Sequence, residues 1–437
     1  MKTARRVSLA EWGSAWMENG DEHIFVGHRH EWGGETPFGL DVPERRQHVY
    51  VIGQTGAGKS TLLRNLILQD IEAGRGVGVI DPHGDLALDI LDHIPAWRTN
   101  EVVYFDPSAK DPLAINLFRA TTDNWHLVAS GIVSAFKKIW GHSWGPRLEY
   151  VLYATLAALL QCDNTSLLGV SRMLHDDKYR AWVVKQVKDP MVRSFWVNEF
   201  AAYDRASRQE IIGPIQNKVG QIFLAPALRN VLGQVGTKIN FRFMMDRRRI
   251  FVANLSKGRI GEAHSSLLGS LLVTGFELAA LSRADIPAHE REDFFLYADE
   301  FHHCATDSFA SILSEARKYR LSLTLAHQYL GQLNEQIRDA VFGNVGTFLA
   351  FRVSEADASV LERQFGGAFT RAHFTGLENY ELCARLLSRE PFLGRSLPPL
   401  ETTRRRRNII IRHSRRKYSR RQKIVEEKID RWLKRRH

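Results

Sequence analysis

Short runs of apolar, β-branched and aromatic residues recur along the chain, and amphipathic helical patterns separate most of them. Runs of about four to eight such residues between turn residues are typical of buried strands. Seven segments have this character, namely residues 48–53, 76–81, 102–106, 249–255, 293–299, 321–327 and 347–353. Strands that alternate with helices predict an α/β fold, in which helices cover both faces of a central, mainly parallel sheet.

The pattern changes between residues 119 and 238, where strand signals give way to helical spacing. Leu148, Leu152 and Leu159, for example, recur on one helical face. We therefore predict an all-α domain inserted between two strands of the sheet. The predicted segments are an N-terminal segment (1–47), an α/β domain in two parts (48–118 and 239–400), the all-α insertion (119–238) and a basic C-terminal tail (401–437).

The sequence shows no clear signal for export or for a membrane span. The longest apolar runs, near residues 150–162 and 267–276, are shorter than the roughly 18 residues that a spanning helix needs. The N-terminal residues lack the continuous apolar stretch of a secretory signal. The three cysteines are far apart and odd in number, which is typical of a reducing compartment. We therefore expect a cytoplasmic protein without a membrane span.

Positive charge is concentrated at the C-terminus. The chain has a formal net charge of +11, and residues 401–437 contain 16 lysines and arginines against 4 acidic residues. Such a segment attracts polyanions by counterion release, and nucleic acid is the common cytoplasmic example. The alternative is a solvated terminus without a specific partner. One helical face of the tail is apolar, which favours docking on the body or on a neighbour; it carries Ile424, Val425, Ile429, Trp432 and Leu433.

Candidate chemistry begins at residues 48–70, which read HVYVIGQTGAGKSTLLRNLILQD, an apolar strand followed by a glycine-rich turn and a helix. Residues 53–60 match the pattern G-x-x-x-x-G-K-[ST] without a mismatch. In such a loop, glycines allow a tight turn whose N–H groups point at phosphate oxygens, and the following helix presents its positive N-terminus. The strand before and the helix after favour a phosphate cradle over an ordinary glycine-rich turn.

Individual roles follow from this cradle. We expect Lys59 to reach the β- and γ-phosphates of ATP and the Ser60 hydroxyl to ligate Mg²⁺. ATP and Mg²⁺ are therefore the expected cofactors. The predicted nucleotide-binding residues are Gly53, Gln54, Thr55, Gly56, Ala57, Gly58, Lys59, Ser60 and Thr61.

A pair of carboxylates follows the apolar run in the sequence DFFLYADEF. Asp299 and Glu300 lie at the carboxyl end of this predicted strand. We expect Asp299 to hold the Mg²⁺ shell and Glu300 to polarise the attacking water. An acidic pair at a strand end is usually only solvated, but beside a phosphate cradle it favours hydrolysis. It also argues against a small-molecule kinase, whose phosphoryl acceptor is a bound substrate.

The next predicted strand, LSLTLAHQ, ends in the polar residue Gln328. A side chain at this position can contact the γ-phosphate or the attacking water and so report hydrolysis. The sequence SEARKYR just before this strand contains Arg317 and Arg320. One interpretation is a helix C-terminus that favours cations. The other is an arginine finger that stabilises charge on the transferred phosphoryl group.

Four motifs in this order resemble those of the HerA/FtsK superfamily of hexameric DNA pumps: HVYVIGQTGAGKST, VIDPHGDL, LYADEF and SEARKYRLSLTLAHQ. With the helical insertion and the sequence FVANLSKGRIGE, the chain is most similar to the soluble part of type IV secretion coupling proteins, the conjugative DNA-transfer ATPases. The resemblance covers residues 46–365. It implies a RecA-like P-loop NTPase fold, with ATP sites between the subunits of a ring.

The resemblance also implies roles for particular residues. In that superfamily, the arginine that precedes the strand ending in the sensor residue acts across the subunit boundary. Here that strand ends in Gln328, and the matching arginine is Arg317. Asp81, His83 and Asp85, in VIDPHGDL, either line the same cleft or form a polar loop after a strand. Candidate contacts to DNA phosphates lie on either side of one predicted strand; these are Lys257, Arg259, Arg247 and Arg248.

Together these features predict an ATP-driven translocase of double-stranded DNA that works as a homo-oligomeric ring, a hexamer by the resemblance. The alternative is an ATP-switched recruitment module that docks a nuclease, a relaxase or a secretion component without moving DNA. The motor is favoured by a complete set of candidate catalytic residues, namely Lys59, Glu300, Arg317 and Gln328. The sequence leaves the pathway open among conjugation, mobile-element maintenance, repair and phage defence.

Overall fold

The computed structural model describes residues 23–31, 33–119, 124–387, 389–399 and 404–434. Parts of all four predicted segments lie outside the described residues: positions 1–22 and 32 of the N-terminal segment, 120–123 of the insertion, 388 and 400 of the α/β domain, and 401–403 and 435–437 of the tail. The strands are β1 (His23–Glu31), β2 (Gly34–Asp41), β3 (Val49–Ile52), β4 (Gly76–Asp81), β5 (Val102–Phe105), β6 (Ile250–Asn254), β7 (Phe294–Ala298), β8 (Leu321–His327), β9 (Thr347–Ala350), β10 (Glu381–Arg385) and β11 (Phe392–Ser396).

Helices connect these strands and form most of the region between β5 and β6. The α-helices are α1 (Val42–Arg45), α2 (Lys59–Glu72), α3 (Asp85–His93), α4 (Trp125–Trp140), α5 (Pro146–Leu160), α6 (Gly169–His175), α7 (Asp177–Val184), α8 (Pro190–Ser194), α9 (Phe200–Ala202), α10 (Arg205–Leu224), α11 (Pro226–Leu232), α12 (Phe241–Asp246), α13 (Lys257–Ile260), α14 (Glu262–Leu281), α15 (Phe309–Glu315), α16 (Glu335–Asn344), α17 (Glu355–Gln364), α18 (Arg371–Gly376), α19 (Arg407–Tyr418) and α20 (Gln422–Lys434). A π-helix spans Phe195–Glu199, and 3₁₀ helices span Ala96–Glu101, Leu117–Arg119, Gly141–Ser143, Ser282–Asp285, Phe301–His303, Ala316–Tyr319 and Leu330–Gln332.

Among the described residues, the strands form one eleven-stranded sheet in the order β2-β1-β11-β10-β9-β3-β8-β7-β4-β6-β5. The central pairs from β9 to β6 are parallel. All seven predicted strands are present, and their residues are almost entirely buried because helices cover both faces of the sheet. The predicted α/β fold with a mainly parallel central sheet is confirmed.

Four strands at one side of the sheet are antiparallel to their neighbours, and the hydrophobic pattern did not predict them. They are short or polar, and glycines interrupt them. A Cβ atom on Gly27 would lie 2.0 Å from the Arg395 carbonyl oxygen, and one on Gly39 would lie 2.4 Å from the Ile24 carbonyl oxygen. The backbones approach so closely that only glycine fits at these positions. A strand is usually recognised by β-branched residues, so these glycines weaken the sequence signal.

The chain divides into two compact units. The first, the sheet unit, comprises Met1–Tyr104, Arg242–Asn254 and Ala280–His413. The second, the helical unit, comprises Phe105–Phe241, Leu255–Ala279 and Ser414–His437.

The helical unit is larger than the predicted insertion (119–238). It also contains Leu255–Ala279 and Ser414–His437. Gly131 lies so close to α14 that a Cβ atom on it would be 2.4 Å from Thr274 Cγ2. The rings of Phe241 and Phe276 have centroids 4.8 Å apart. These contacts join residues far apart in the chain, and for this reason the local pattern did not reveal them.

One helical stretch in the described residues, Glu262–Asp285, is long and apolar enough to cross a membrane. Its most apolar window is 78% buried inside the protein. Core helices of globular proteins pass the same test of length and composition. The burial of this helix is consistent with such a core role.

All three cysteines are buried, and no disulfide joins them in the described residues. Burial raises the pKa of the Cys162 and Cys383 thiols to about 12. Thiols of this kind are inert as nucleophiles, because the thiolate is the reactive form.

The described part of the C-terminal segment is helical, and its first section packs in the sheet unit. Arg407 forms an ion pair with Asp92, at a distance of 2.6 Å, and its Nε donates to the Leu88 carbonyl. Ile410 is fully buried and belongs to the main hydrophobic core. This section is therefore a structural part of the sheet unit.

The second section of the C-terminal segment packs in the helical unit. Val425 and Ile429, two residues of the predicted apolar face, are buried, whereas Ile424 and Leu433 are exposed. Arg172 donates to the Trp432 carbonyl at 3.0 Å, and the Tyr179 ring meets the Trp432 ring edge to face. The apolar face therefore docks on the body through Val425 and Ile429, which lie at the centre of that face.

Two adjacent isoleucines on α19 test this packing. Ile410→Ala should lower the free energy of unfolding by about 2–5 kcal/mol, because a fully buried side chain leaves a cavity. Ile409→Ala is the control; that side chain is 53% exposed, and we expect a change within about 0.5 kcal/mol. Urea denaturation measures both, and equal effects of the two substitutions would contradict the packing.

Candidate nucleotide-binding site

The predicted phosphate cradle lies between β3 and α2, in the sheet unit. Gly56 and Gly58 have φ angles of 81° and 122°, which L side chains rarely adopt. In the described part of the chain, apart from Gly56 itself and its two chain neighbours, no heavy atom lies within 4 Å of a Cβ built on Gly56, so this side of the loop is open. A loop with this backbone presents N–H groups on its concave side, beside the N-terminus of α2. The geometry fits a polyphosphate.

Lys59 is buried at the start of α2. Its Nζ donates to the Gly53 carbonyl at 2.6 Å and to the Gln54 carbonyl at 3.2 Å. Burial lowers the pKa of the Lys59 ammonium, and the nearby Glu300 and Asp299 oppose this shift. The lysine therefore lies at the cradle, with both predicted carboxylates close enough to act on its charge.

Asp299 and Glu300 follow β7, and Asp299 is held in an acidic and buried position. The Glu300 N–H donates to Asp299 Oδ1 at 3.0 Å. Burial, then the charges of Asp81 and Glu300, raise the pKa of Asp299 to about 7, and Lys59 counteracts them. A cation bound here would relieve this repulsion, which fits the predicted role in the Mg²⁺ shell.

Glu300 is a buried carboxylate on a strained backbone. Its φ angle of 45° places it in the left-handed region, which is uncommon for a residue other than glycine. Oε1 accepts a hydrogen bond from Gln328 Nε2 at 2.7 Å, and Oε2 lies 3.4 Å from His302 Nδ1. Oε2 is buried and has no hydrogen bond from any described residue. The described residues therefore leave the acceptor capacity of this oxygen unused.

Gln328 lies at the end of β8 and is held in place by a loop that follows it. Its backbone N–H donates to Gln332 Oε1, which also accepts from the Tyr329 N–H. The predicted contact of Gln328 with a phosphate or with water stays a prediction, and within the protein its side chain contacts Glu300. Gln332, which sequence reasoning missed, and His302, to which it gave no catalytic role, lie 3.4 Å apart beside this pair. Their only sequence signal is proximity to the two motifs.

Asp81 belongs to the cleft through its charge, but its oxygens are engaged with the backbone. Oδ1 accepts from the His83 N–H and Oδ2 from the Ala87 N–H, so the carboxylate fixes the loop and the start of α3. The side chains of His83 and Asp85 are exposed. Of the two interpretations for this motif, the structure favours a polar loop for His83 and Asp85.

Arg317 lies away from the site of its own chain. It precedes β8, at the amino edge of the sheet, whereas Gln328 follows β8 at the carboxyl edge. The seven residues of β8, at about 3.3 Å each, separate the two edges by roughly 20 Å. Arg317 is exposed and has no hydrogen bond or ion pair from its guanidinium to any described residue, whereas Arg320 lies 3.9 Å from Asp293.

The candidate DNA contacts are divided between two places. Arg247 and Arg248 precede β6, and Arg248 pairs with Glu292 at 2.6 Å. Lys257 and Arg259 follow β6, and Arg259 lies 3.7 Å from Asp106. All four side chains are at least partly exposed. Two of the four are thus engaged in ion pairs within the protein.

Metal ligands in this site are few. Among the described residues, there is no group of three or more histidine, cysteine, aspartate or glutamate side chains that could hold a metal. Ser60 is exposed in the first turn of α2, and the carboxylate of Asp299 interacts through its charge with Lys59, the residue before Ser60. Mg²⁺ is commonly held by one or two protein groups together with phosphates and water. The residues present fit a magnesium ion of this kind.

Comparison with known proteins agrees with the motifs. Residues 24–124 match the family described as helicase HerA, central domain. No curated protein matches the chain at a significant level. The family match covers under a quarter of the chain but includes the phosphate cradle.

Solved structures share the fold over nearly the whole chain. The bacterial conjugative coupling protein TrwBΔN70 is 14% identical with a TM-score of 0.61, over 92% of this chain and 95% of that chain. The plasmid coupling protein TrwB in complex with ADP and Mg²⁺ gives a TM-score of 0.62 at 14% identity, with the same coverage. VirB4 of Thermoanaerobacter pseudethanolicus gives 0.58 at 14% identity, over 87% and 97%. These matches confirm the predicted fold, and the family match to residues 24–124 agrees with the resemblance to HerA.

The elevated pKa of Asp299 predicts a pH-dependent stability. The folded protein holds this proton up to about pH 7, whereas an ordinary aspartate releases it near 3.8. The unfolded chain therefore binds fewer protons between these values, and stability falls as pH rises through this range. As the pH rises from about 4 to 7, the free energy of unfolding of the wild type should fall relative to that of Asp299→Asn. Denaturation curves at several pH values measure this difference, and parallel pH profiles would contradict the assigned pKa.

Proposed function

We propose that this protein hydrolyses ATP with Mg²⁺ at the site formed by the phosphate cradle and Glu300. The observation that carries the proposal is the position of Glu300 at the carboxyl end of β7, where one of its carboxylate oxygens has no hydrogen bond in the described residues and its charge acts on Lys59. TrwB, which has the same fold, has been solved in complex with ADP and Mg²⁺. The same ligands are proposed here because the cradle and the carboxylates fit them.

Each residue has a distinct task in this proposal. Lys59 leaves the loop carbonyls and binds the β- and γ-phosphates. Ser60 and Asp299 hold Mg²⁺, which supplies charge neutralisation at the phosphates when bound. Glu300 accepts a proton from the attacking water, and Gln328 holds Glu300 in position through the 2.7 Å hydrogen bond.

We further infer that the work done by hydrolysis is translocation of double-stranded DNA by a homo-hexameric ring. The motif resemblance supports a ring, and the position of Arg317 supports sites shared between subunits. An exposed arginine about 20 Å from its own site by strand length, with no ion pair in the described residues, is suited to reach a neighbouring subunit's phosphates. In the helical unit, Arg415 and Arg416 of α19 are exposed and add a cationic surface for DNA phosphates.

A recruitment module is the second candidate, and two observations favour it. Arg248 and Arg259, two of the candidate DNA contacts, are engaged in ion pairs. The helical unit also contains a cleft of about 770 Å³, lined by residues that include Arg205, Arg208 and Ile212. A cleft of this size suits a segment of a partner such as a nuclease, a relaxase or a secretion component. In this alternative the nucleotide switches docking, and DNA does not change the rate of hydrolysis.

The role of Glu300 is tested by an isosteric substitution. Glu300→Gln should retain ATP binding and lose about 10²- to 10⁴-fold in hydrolysis rate, because the amide keeps the shape but cannot accept a proton. Glu335→Gln is the control, since Glu335 is an exposed glutamate in the first turn of α16. Phosphate release and equilibrium binding of ATP measure the two effects. Hydrolysis by Glu300→Gln near the wild-type rate would refute the assignment.

Sharing of sites between subunits is tested by mixing two inactive variants. Lys59→Ala breaks its own cradle, and Arg317→Ala should lose about 10³- to 10⁵-fold because a finger stabilises the transferred phosphoryl group. When subunits exchange, some interfaces pair an intact Lys59 with an intact Arg317, so ATPase activity should rise above both parents. Lys318→Ala, at the adjacent exposed position, is the control for Arg317→Ala and should remain active.

Mass measurement of the mixture establishes whether mixed oligomers form. If they form and activity stays at the level of the parents, Arg317 does not act across the boundary. Arg320 and Arg352 are then the next candidates. An arginine that acts within its own chain cannot be rescued in this way, because no single chain in the mixture carries both groups.

A further inference from the structure

The order of strands fixes the direction in which a bound nucleotide would lie. Glu300 and Gln328 follow β7 and β8, on one side of β3, so the γ-phosphate end points to that side. The nucleoside end must then lie toward β9, the other neighbour of β3. The residues found on this side are those that follow β9 and those that precede β10.

Tyr380 lies on that side and is fixed to the phosphate cradle. Its N–H donates to the Ala57 carbonyl at 2.9 Å, and its own carbonyl accepts from the Ser396 N–H at 2.7 Å. Its φ angle of 70° places it in the left-handed region. The backbone is thus held in an uncommon conformation by the loop on one side and by β11 on the other, which determines where the ring lies.

The ring of Tyr380 lies beside the last glycine of the cradle. A Cβ atom on Gly58 would be 3.0 Å from Tyr380 Cδ1. The tyrosine is half-buried, and its hydroxyl has no hydrogen bond in the described part of the chain. The fold therefore does not use the polar end of this side chain, although the ring is adjacent to the phosphate-binding loop.

Arg352 holds the turn that carries Tyr380. Its guanidinium donates to the Leu377 carbonyl at 3.3 Å and to Asn379 Oδ1 at 3.4 Å. Its own carbonyl accepts from the Gln54 N–H of the cradle at 2.8 Å. The turn and the cradle are thus connected twice, through Arg352 and through Tyr380.

We propose that Tyr380 forms the nucleoside-binding surface of this site, with its ring stacked against the base of the bound nucleoside triphosphate. Every base has a π face, and contact with an aromatic ring strengthens binding without a hydrogen-bonding code. Arg352 is a positioning residue, since it acts through the turn. This inference rests on the proposed nucleotide binding and adds the part of the site that contacts the nucleoside.

The test compares two probes that differ by the nucleoside: ATP and inorganic tripolyphosphate. Tyr380→Ala should weaken ATP binding at least about fivefold, as expected for the loss of one base–aromatic stack. It should leave the affinity for tripolyphosphate unchanged, because the cradle is intact. Tyr380→Phe should bind ATP like the wild type, and Tyr380→Leu should behave like Tyr380→Ala while still filling the space beside Gly58.

The outcomes are separable by calorimetric titration. Equal weakening of both probes in Tyr380→Ala would show that the ring only supports the loop, and unchanged ATP binding would show that the base lies elsewhere; either result overturns the proposal. If the wild type binds neither probe, the proposed nucleotide function itself fails. Tyr150→Ala removes an exposed tyrosine from the helical unit and should change neither affinity. Tripolyphosphate binding in each variant also shows that the protein is folded.

Discussion

Parallel pairing of the central strands is the constraint on which the site depends. Because neighbouring parallel strands end at the same edge, the phosphate cradle after β3, the carboxylates after β7 and Gln328 after β8 come together without any local sequence signal for their contact. The same constraint places Arg317, which precedes β8, at the opposite edge of the sheet. One feature of topology thus assembles most of the candidate catalytic groups and excludes one of them from its own site.

Burial of charge is the second determinant. Lys59, Asp299 and Glu300 are all largely removed from solvent, so each affects the others more strongly than it would at the surface. Burial and the neighbouring carboxylates raise the pKa of Asp299, and Lys59 counteracts them. A site with this balance favours a bound cation beside the carboxylates. The strained backbone of Glu300 is consistent with a position that is held for chemistry rather than for stability.

The sequence predicted the central part of this fold because a buried parallel strand leaves a continuous apolar run. It did not predict β1, β2, β10 and β11, which are polar, short or interrupted by glycine at close backbone approaches. Within the site, motif spacing identified Lys59 and Glu300. Tyr380 is absent from any motif, because only the chain path beyond β9 brings it to the cradle. The burial of Ile410 was not predicted, because this residue lies in an arginine-rich segment. It is buried by tertiary packing, which the local hydrophobic pattern does not show.

In the proposed function, ATP hydrolysis at this site moves double-stranded DNA. The most direct measurement follows the displacement of a third strand, bound as a triplex at one end of a linear duplex. With ATP and Mg²⁺, the wild-type protein should displace this strand, at a delay that grows with the length of duplex it must cross. The contradicting result is that the third strand stays bound although ATP is hydrolysed, at the same rate with and without duplex DNA. This result would favour the recruitment module.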